Sequence, residues 1–230
     1  PAGESQQDCD VLARHFAERD AAELRWLEQH GDFPDVPLRA IPNGLVNARD
    51  NFDWVRSRNA DVVVLYGTGL IKEPLLSVSG RMVNLHLGLS PWYRGAGTNF
   101  WPFVHEQPEC VGATIHIVAA EVDAGDILAQ VRPEWSASDR IHDAGTKTII
   151  AAADKMVEVV LANQTGRLAG DRQDLVQGRV FRQKDFNAAA VRTAWRNLDQ
   201  GMIARYLESR EARDMRFPIV AMEAAGAAVS

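Results

Sequence analysis

An α/β sheet with flanking helices and a small C-terminal appendage is the fold this sequence predicts, on three observations. Residues 61–66 (Asp-Val-Val-Val-Leu-Tyr) form a continuous apolar run, the pattern of a strand buried on both faces of a parallel sheet. Further strand patterns at 83–87, 112–118 and 127–131 alternate with helical ones, which indicates a layered α/β core. Beyond residue 165 the pattern changes to short helices and a basic, aromatic stretch. The expected division is a main α/β domain over 1–165 and an appendage over 166–230.

In chain order, residues 8–30 are rich in Ala, Leu, Glu and Arg at near-helical spacing and predict one helix, with a candidate break at Asp20. Gly31 ends it and Pro34 prevents its resumption. His15 and His30 on this helix read as solvated or capping residues. Residues 36–41 read as a short strand despite Pro37, and 47–58 as a helix. Gly67-Thr68-Gly69 follows the apolar run. It lacks the third glycine of a dinucleotide loop, so a tight turn is the plainer reading. Residues 70–76 read as a short helix or turn. The aromatic stretch 98–106 reads as a helix starting or kinking at Pro102. Residues 112–118 alternate cleanly, with Ala113, Ile115 and Ile117 on one face and Thr114, His116 and Val118 on the other. With 127–131 they form an antiparallel pair joined through Asp123-Ala-Gly-Asp126. Residues 141–163 are the longest helical pattern and should pack across the sheet. An exposed strand is expected at 179–186, helices at 188–196 and 198–208, and a frayed end at 221–230.

Composition sets the outer bounds. The chain has 230 residues, 46% of them hydrophobic, enough for one large core or one domain with an appendage. A net charge of −6 without a long basic run argues against bulk nucleic acid as a partner. Cys9 and Cys110 lie far apart without CxxC spacing, as in a reduced protein. No apolar run approaches the roughly 18 residues of a membrane span, and no leader pattern is visible, so a cytoplasmic protein is expected.

The chemistry concentrates in residues 83–95, Val-Asn-Leu-His-Leu-Gly-Leu-Ser-Pro-Trp-Tyr-Arg-Gly. On a strand, Asn84 and His86 point to the same face, at the sheet edge where α/β folds bind ligands. Asp123 is the third polar group. No serine or cysteine occupies an elbow motif, so a covalent acyl-enzyme is not expected. The Asn84 carboxamide can donate without charge, and a carboxylate beside His86 favours its imidazolium. Together they describe an oxyanion site for direct acyl transfer. Spacing alone also fits ordinary packing of an Asn-x-His pair. No HxH or HExxH spacing supports a metal, and His105, His116 and His142 read as structural or peripheral.

The ordered series Asn84-Leu-His-Leu-Gly-Leu-Ser-Pro-Trp-Tyr-Arg-Gly95, Val111-Gly-Ala-Thr-Ile-His116 and Val122-Asp-Ala-Gly-Asp-Ile127 resembles the folate-dependent formyltransferases, the family containing glycinamide ribonucleotide, methionyl-tRNA and sugar-nucleotide formyltransferases. The resemblance covers roughly residues 60–135. It implies a Rossmann-like formyltransferase sheet, an Asn84, His86 and Asp123 catalytic trio, and 10-formyltetrahydrofolate as formyl donor. The cofactor would lie against Leu65, Tyr66, Gly67, Thr68, Gly69, Leu70 and Ile71, against Leu87, Gly88, Leu89, Ser90 and Pro91, and against Ile117, Val118, Ala119, Ala120, Glu121 and Val122. The family's opening strand, loop and helix have no counterpart before Asp8, so either the chain lacks that unit, the favoured expectation, or its acceptor site is built differently.

The expected acceptor is a small amine, with an amino sugar nucleotide or another small anionic amine compatible with the basic, aromatic 179–186 stretch. Transfer RNA fits the charge less well. Tyr93, Arg94, Gly95 and Asn99 are the candidate acceptor-binding residues, with Trp92, Phe100 and Trp101 either beside them or in the core. A homodimer through the appendage is a further expectation. Two other readings stand beside the transferase: hydrolysis of the same formylated folate, and a nucleotide-binding α/β module without turnover.

Overall fold

The structure is a computed structural model that describes residues 5–30, 35–79, 81–119, 121–164 and 169–222. The expected helix stop at Gly31 and Pro34, the side chain of His30, and positions 223–230 of the expected frayed end lie outside the described residues.

Helix α1 (Gln6–His30) starts at a reciprocal cap. The Asp8 carboxylate accepts from the Ser5 N–H while the Ser5 hydroxyl accepts from the Asp8 N–H. It runs unbroken through Asp20, because that carboxylate pairs with Arg19 in solvent and leaves the helix backbone alone. The expected strand at 36–41 does not form. Residues 35–42 are irregular and exposed, with Leu38 90% accessible. Pro37 removes a ladder donor there, and no strand among the described residues pairs with the segment.

After α2 (Arg49–Ser57), four strands form the main sheet: β1 (Val63–Tyr66), β2 (Met82–His86), β4 (Ala113–Ile117) and β5 (Ile127–Val131), in the order β1-β2-β4-β5. Only β1 and β2 run parallel; β4 is antiparallel to both β2 and β5. The run at 61–66 is therefore an edge strand. Val64 and Tyr66 stay about half exposed, because no element among the described residues covers their face. The crossover from β1 to β2 carries a single 3-10 turn, Leu75–Ser77.

The two faces of the sheet differ in chemistry. Val83, Leu85, Ala113, Ile115, Leu128 and Ala129 pack against Ala152, Met156 and Val159 of α4 (Ile141–Gln164). The opposite face of the central strands carries Asn84, His86, Thr114, His116 and Gln130.

A second, two-stranded sheet pairs β3 (Tyr93–Gly95) with β6 (Arg179–Phe181) in parallel. Only those three residues of 179–186 pair as a strand; Gln183–Asp185 turn away as a 3-10 helix. The helix expected at 98–106 is the single turn α3 (Trp101–Val104), with Pro102 in its first positions. Helices α5 (Ala188–Asp199), α6 (Met202–Glu208) and α7 (Arg210–Asp214) follow. Val191, Ala194, Met202 and Ile203 are buried against Tyr93, Phe100, Trp101 and Phe103 in one aromatic core. Asn197 also donates to the carbonyls of Phe103 and Val104, capping the end of α3. The appendage is thus built into the domain's core.

Candidate active site

The polar face of the sheet is satisfied by the loops above it. Thr114 donates to the Gly88 carbonyl and accepts from the Ser90 N–H, and Gln130 donates to the Ser90 carbonyl and to Thr114. These bonds clamp the turn that follows β2. Gly88 must approach closely there, since a Cβ would sit 2.6 Å from both His86 Nε2 and Thr98.

Asn84, His86 and Asp123 converge as the sequence predicts. Asp123 sits in the loop between β4 and β5, held by Gln173, whose amide donates to the carbonyls of Asp123 and Gly125. Its Oδ2 accepts from the Gly95 N–H at 2.9 Å and lies 3.3 Å from His86 Nδ1; its Oδ1 lies 3.4 Å from Asn84 Nδ2. On its far side, His86 Nε2 is 2.9 Å from the Tyr93 carbonyl. Thr98 places its hydroxyl 3.3 Å from the same nitrogen while donating to the Leu87 carbonyl.

Both ring nitrogens of His86 thus face oxygen acceptors, which only an imidazolium satisfies together. Burial opposes that charge and pulls the His86 pKa below its ordinary value, against the upward pull of Asp123 and the Tyr93 carbonyl. The direction is the reverse of what charge pairing alone predicts and favours the neutral ring. For Asp123, burial pushes the pKa up, but His116, His86 and the Gly95 N–H together outweigh it and hold the carboxylate below its usual range.

His116, read from sequence as peripheral, belongs to this cluster. It is 3% exposed, and its Nδ1 lies 2.8 Å from the Ile117 carbonyl, which fixes the proton there. Its Nε2 lies 3.1 Å from Asn84 Nδ2 and 3.5 Å from Asp123 Oδ1, so His116 packs against both and limits how the Asn84 carboxamide can turn. The β2–β4 register places Asn84 opposite His116, a signal that needs the pairing and not either strand alone. Thr98 was also missed.

These groups border a cavity of about 730 Å³. All seven of the expected cofactor residues from Leu65 to Ile71 line it, as do Leu87, Val118, Ala119, Glu121 and Val122. Gly88, Leu89, Ser90, Pro91 and Ile117 do not; they lie behind the wall, where Leu89 and Ser90 are fully buried. Ala120 lies outside the described residues. Of the expected acceptor residues, Gly95, Asn99 and Phe100 line the cavity. Tyr93 does not, because it faces the core: its ring stacks on Phe181 and its hydroxyl bonds Gln107 and His105. Arg94, on the other side of β3, is buried and reaches Glu121 at 3.5 Å. Trp92 and Trp101 belong to the aromatic core. From 179–186 only Gln183 reaches the cavity, while Arg179 and Lys184 border a separate groove. His15, expected in solvent, is 5% exposed and lines the cavity, as does His142.

Among the described residues, no three His, Cys, Asp or Glu side chains gather as a metal site, and no helix is long and apolar enough to cross a membrane.

Comparison with known proteins places this geometry in a wider context. Similar curated proteins include a methionyl-tRNA formyltransferase of Geobacter sulfurreducens, 28% identical over 161 residues, covering 66% of this chain and 46% of that protein. Another is the methionyl-tRNA formyltransferase of Corynebacterium aurimucosum, 31% identical over 140 residues, covering 58% of this chain and 42% of that one. The chain spans about half the length of the curated relatives it matches. Among solved structures, a 4-N formyltransferase from Francisella tularensis shares the fold with a TM-score of 0.52 at 21% identity, over 60% of this chain and 55% of that one. The formyltransferase PseJ from Anoxybacillus kamchatkensis, solved with a UDP-linked formamido sugar and tetrahydrofolate, matches with a TM-score of 0.50 at 22% identity, over 70% of this chain and 80% of that one. The family model described as formyl transferase matches residues 16–160, well over half of the chain and the whole segment that carries Asn84, His86 and Asp123, and on that match the chain belongs to the formyl transferase family.

Proposed function

We propose that this chain transfers the formyl group of 10-formyltetrahydrofolate to the amine of a small acceptor, and that Asn84, His86 and Asp123 carry the reaction. The observation that carries the reading is the meeting of those three side chains at one cavity, with Asp123 within 3.3 Å of His86 and 3.4 Å of Asn84. The family match and the tetrahydrofolate bound in the PseJ structure support the donor. The residues present suit a flat heteroaromatic ring: Leu65, Leu70, Ile71, Val118 and Val122 give apolar walls, with turn backbone at Gly67 and Gly69 beside them.

Bound, the folate supplies a formyl carbon open to attack by an uncharged amine. A new C–N bond forms to the acceptor as the bond to the folate nitrogen breaks. Asn84 and His86 are the donors beside the oxygen that becomes negative between these events, each turning an N–H to it from a resting partner, Asp123 for Asn84 and the Tyr93 carbonyl for His86, and His86 takes up the proton that the attacking amine loses. Asp123 stays ionised beside the ring and stabilises the imidazolium. That proton then passes from His86 to the departing folate nitrogen, through a water where the two are out of reach. His116 limits how the Asn84 carboxamide can turn.

The test is a panel of amines incubated with the purified chain and 10-formyltetrahydrofolate, read by mass for the gain of a formyl group. Formylation of an amine is expected. Release of formate at full rate without any acceptor would convert the reading to a hydrolase, and absence of folate binding would end it.

A further inference from the structure

One wall of the cavity has no part in the chemistry above. It is formed by α1, the first turns of α4 and the turn after β3, and three buried nitrogens on it lack a hydrogen-bond partner: His15 Nδ1, His142 Nε2 and Asn99 Nδ2. Native proteins rarely bury such atoms unpaired, and among the described residues these three are the ones of that kind on residues that line the cavity. His15 is 5% exposed, and its ring lies 4.5 Å from that of His142 among Phe16, Phe100 and Phe186.

The role of two of these atoms is fixed by what their other ends do. The Asn99 Oδ1 accepts from the Gly112 N–H at 3.0 Å, so its Nδ2 is a donor. His142 is bonded to the His15 backbone through its other nitrogen, which therefore carries the hydrogen, and Nε2 is an acceptor. Burial lowers the pKa of both histidines, so the wall is uncharged at neutral pH.

Charge around the wall excludes an anion. Among the described lining residues the single guanidinium is Arg19, already held by Asp20 at 2.9 Å and Glu23 at 3.6 Å, whereas Glu23, Glu121 and Asp123 all line the cavity as carboxylates. The basic side chains Arg179 and Lys184 border the other groove. A phosphate here would meet carboxylates and, among the described lining residues, no cation free of a carboxylate, since Glu23 is paired with Arg19 and Glu121 with Arg94. A hydroxyl group, which both donates and accepts, matches the wall.

We infer that the α1–α4 wall is the acceptor's subsite and that it takes an uncharged hydroxylated amine carrying no phosphate, with Asn99, His142 and His15 bonding its hydroxyls. The inference rests on the transferase reading and narrows its acceptor.

The experiment uses the full chain, 10-formyltetrahydrofolate, and three amines: an aminohexose, its analogue lacking the hydroxyl beside the amine, and its phosphate ester. Formyl transfer is followed by mass, and folate binding is measured separately by quenching of tryptophan fluorescence. The aminohexose should be the best substrate. His142→Phe should raise its KM about 3- to 10-fold, the usual cost of one neutral hydrogen bond, with the KM for folate unchanged. His142→Gln, which restores a polar atom at the same place, should recover most of that loss. Asn99→Asp keeps the acceptor for Gly112, removes the donor, and should also raise the aminohexose KM. Preference for the phosphate ester, indifference to the missing hydroxyl, an effect of His142→Phe on folate instead of the amine, or folate binding without transfer to the aminohexose would each overturn the assignment. Wild-type protein that binds no folate would refute the transferase reading itself, and this inference with it.

Discussion

Replacing Asp123 by asparagine removes one charge and almost no volume, so it isolates what the carboxylate does. Its two oxygens face the Gly95 N–H, His86 Nδ1, Asn84 Nδ2 and His116 Nε2 at 2.9, 3.3, 3.4 and 3.5 Å. An amide cannot serve this set. Turned one way, its NH₂ meets the Gly95 N–H; turned the other, it meets the NH₂ of Asn84. The charge matters more. A carboxylate and an imidazolium at 3.3 Å attract by about 5 kcal/mol at an effective dielectric of 20. His86 is neutral at rest, so that attraction is realised mainly when the ring gains a proton in the transition state. Losing half of it is worth about 10² in rate, the lower end of the about 10²–10⁴ that a positioned acid–base group supplies. Asp123→Asn should therefore lower kcat by about 10²–10⁴ while folate affinity changes by less than about threefold. Steady-state formation of the formylated amine measures the first, and fluorescence quenching the second. A variant that keeps more than a tenth of wild-type kcat, with its fold confirmed by circular dichroism, would refute the assigned role of the carboxylate.

Asn84→Ala and His86→Ala should each cut turnover by at least about 10²–10³, the usual cost of one oxyanion donor, with the thermal transition still cooperative; near-normal kcat in either purified variant would count against the trio. Burial holds the His15 pKa at about 4, below its ordinary 6.5, so between those values the unfolded chain binds a proton that the folded chain refuses. That contribution to stability is complete above pH 6.5 and falls by up to about 3 kcal/mol as the pH drops to 4; His15→Phe should flatten the difference in melting temperature between pH 7 and 4.5. Gly125→Ala would place a Cβ 1.7 Å from the Ile117 carbonyl oxygen, the atom that fixes the His116 proton. It should cost at least the upper end of the about 1–3 kcal/mol typical of overpacking, together with activity, whereas an unchanged melting temperature would contradict this loop geometry.

What could be read from the sequence follows physical range. The Asn84-x-His86 spacing needs only the two-residue period of one strand, and β4 and β5 declare themselves by alternation. The apolar run at 61–66 declares a strand too, but it cannot say whether that strand is central or at the edge, nor that the face carrying Val64 and Tyr66 is left uncovered among the described residues. His116 was lost because its meaning lies in a register, opposite Asn84 across two strands. His15 and His142 are brought together by the packing of α1 on α4, which no local pattern encodes. The C-terminal helices were set apart by composition, although Val191, Ala194 and Leu198 repeat at helical spacing and are buried against the aromatic core.

The division of the main sheet into one apolar and one polar face explains why the site is both buried and ordered. Asn84, His86, Thr114, His116 and Gln130 would be costly in an apolar interior. Each is instead bonded to another of them or to a loop: Thr114 and Gln130 to the turn at 88–90, His116 to the Ile117 carbonyl, and His86 to the Tyr93 carbonyl. The bonds that make these residues tolerable are therefore the same ones that fix the cavity's loops. An apolar face would pack α/β layers equally well, but it would leave the 87–91 turn and the Asp123 loop without anchors. At the α1–α4 wall the same rule is left unfinished, with three buried nitrogens unbonded. The contrast between a sheet face whose polar groups find partners and a helical wall whose polar groups do not is what separates the proposed reacting end of the cavity from the proposed acceptor subsite.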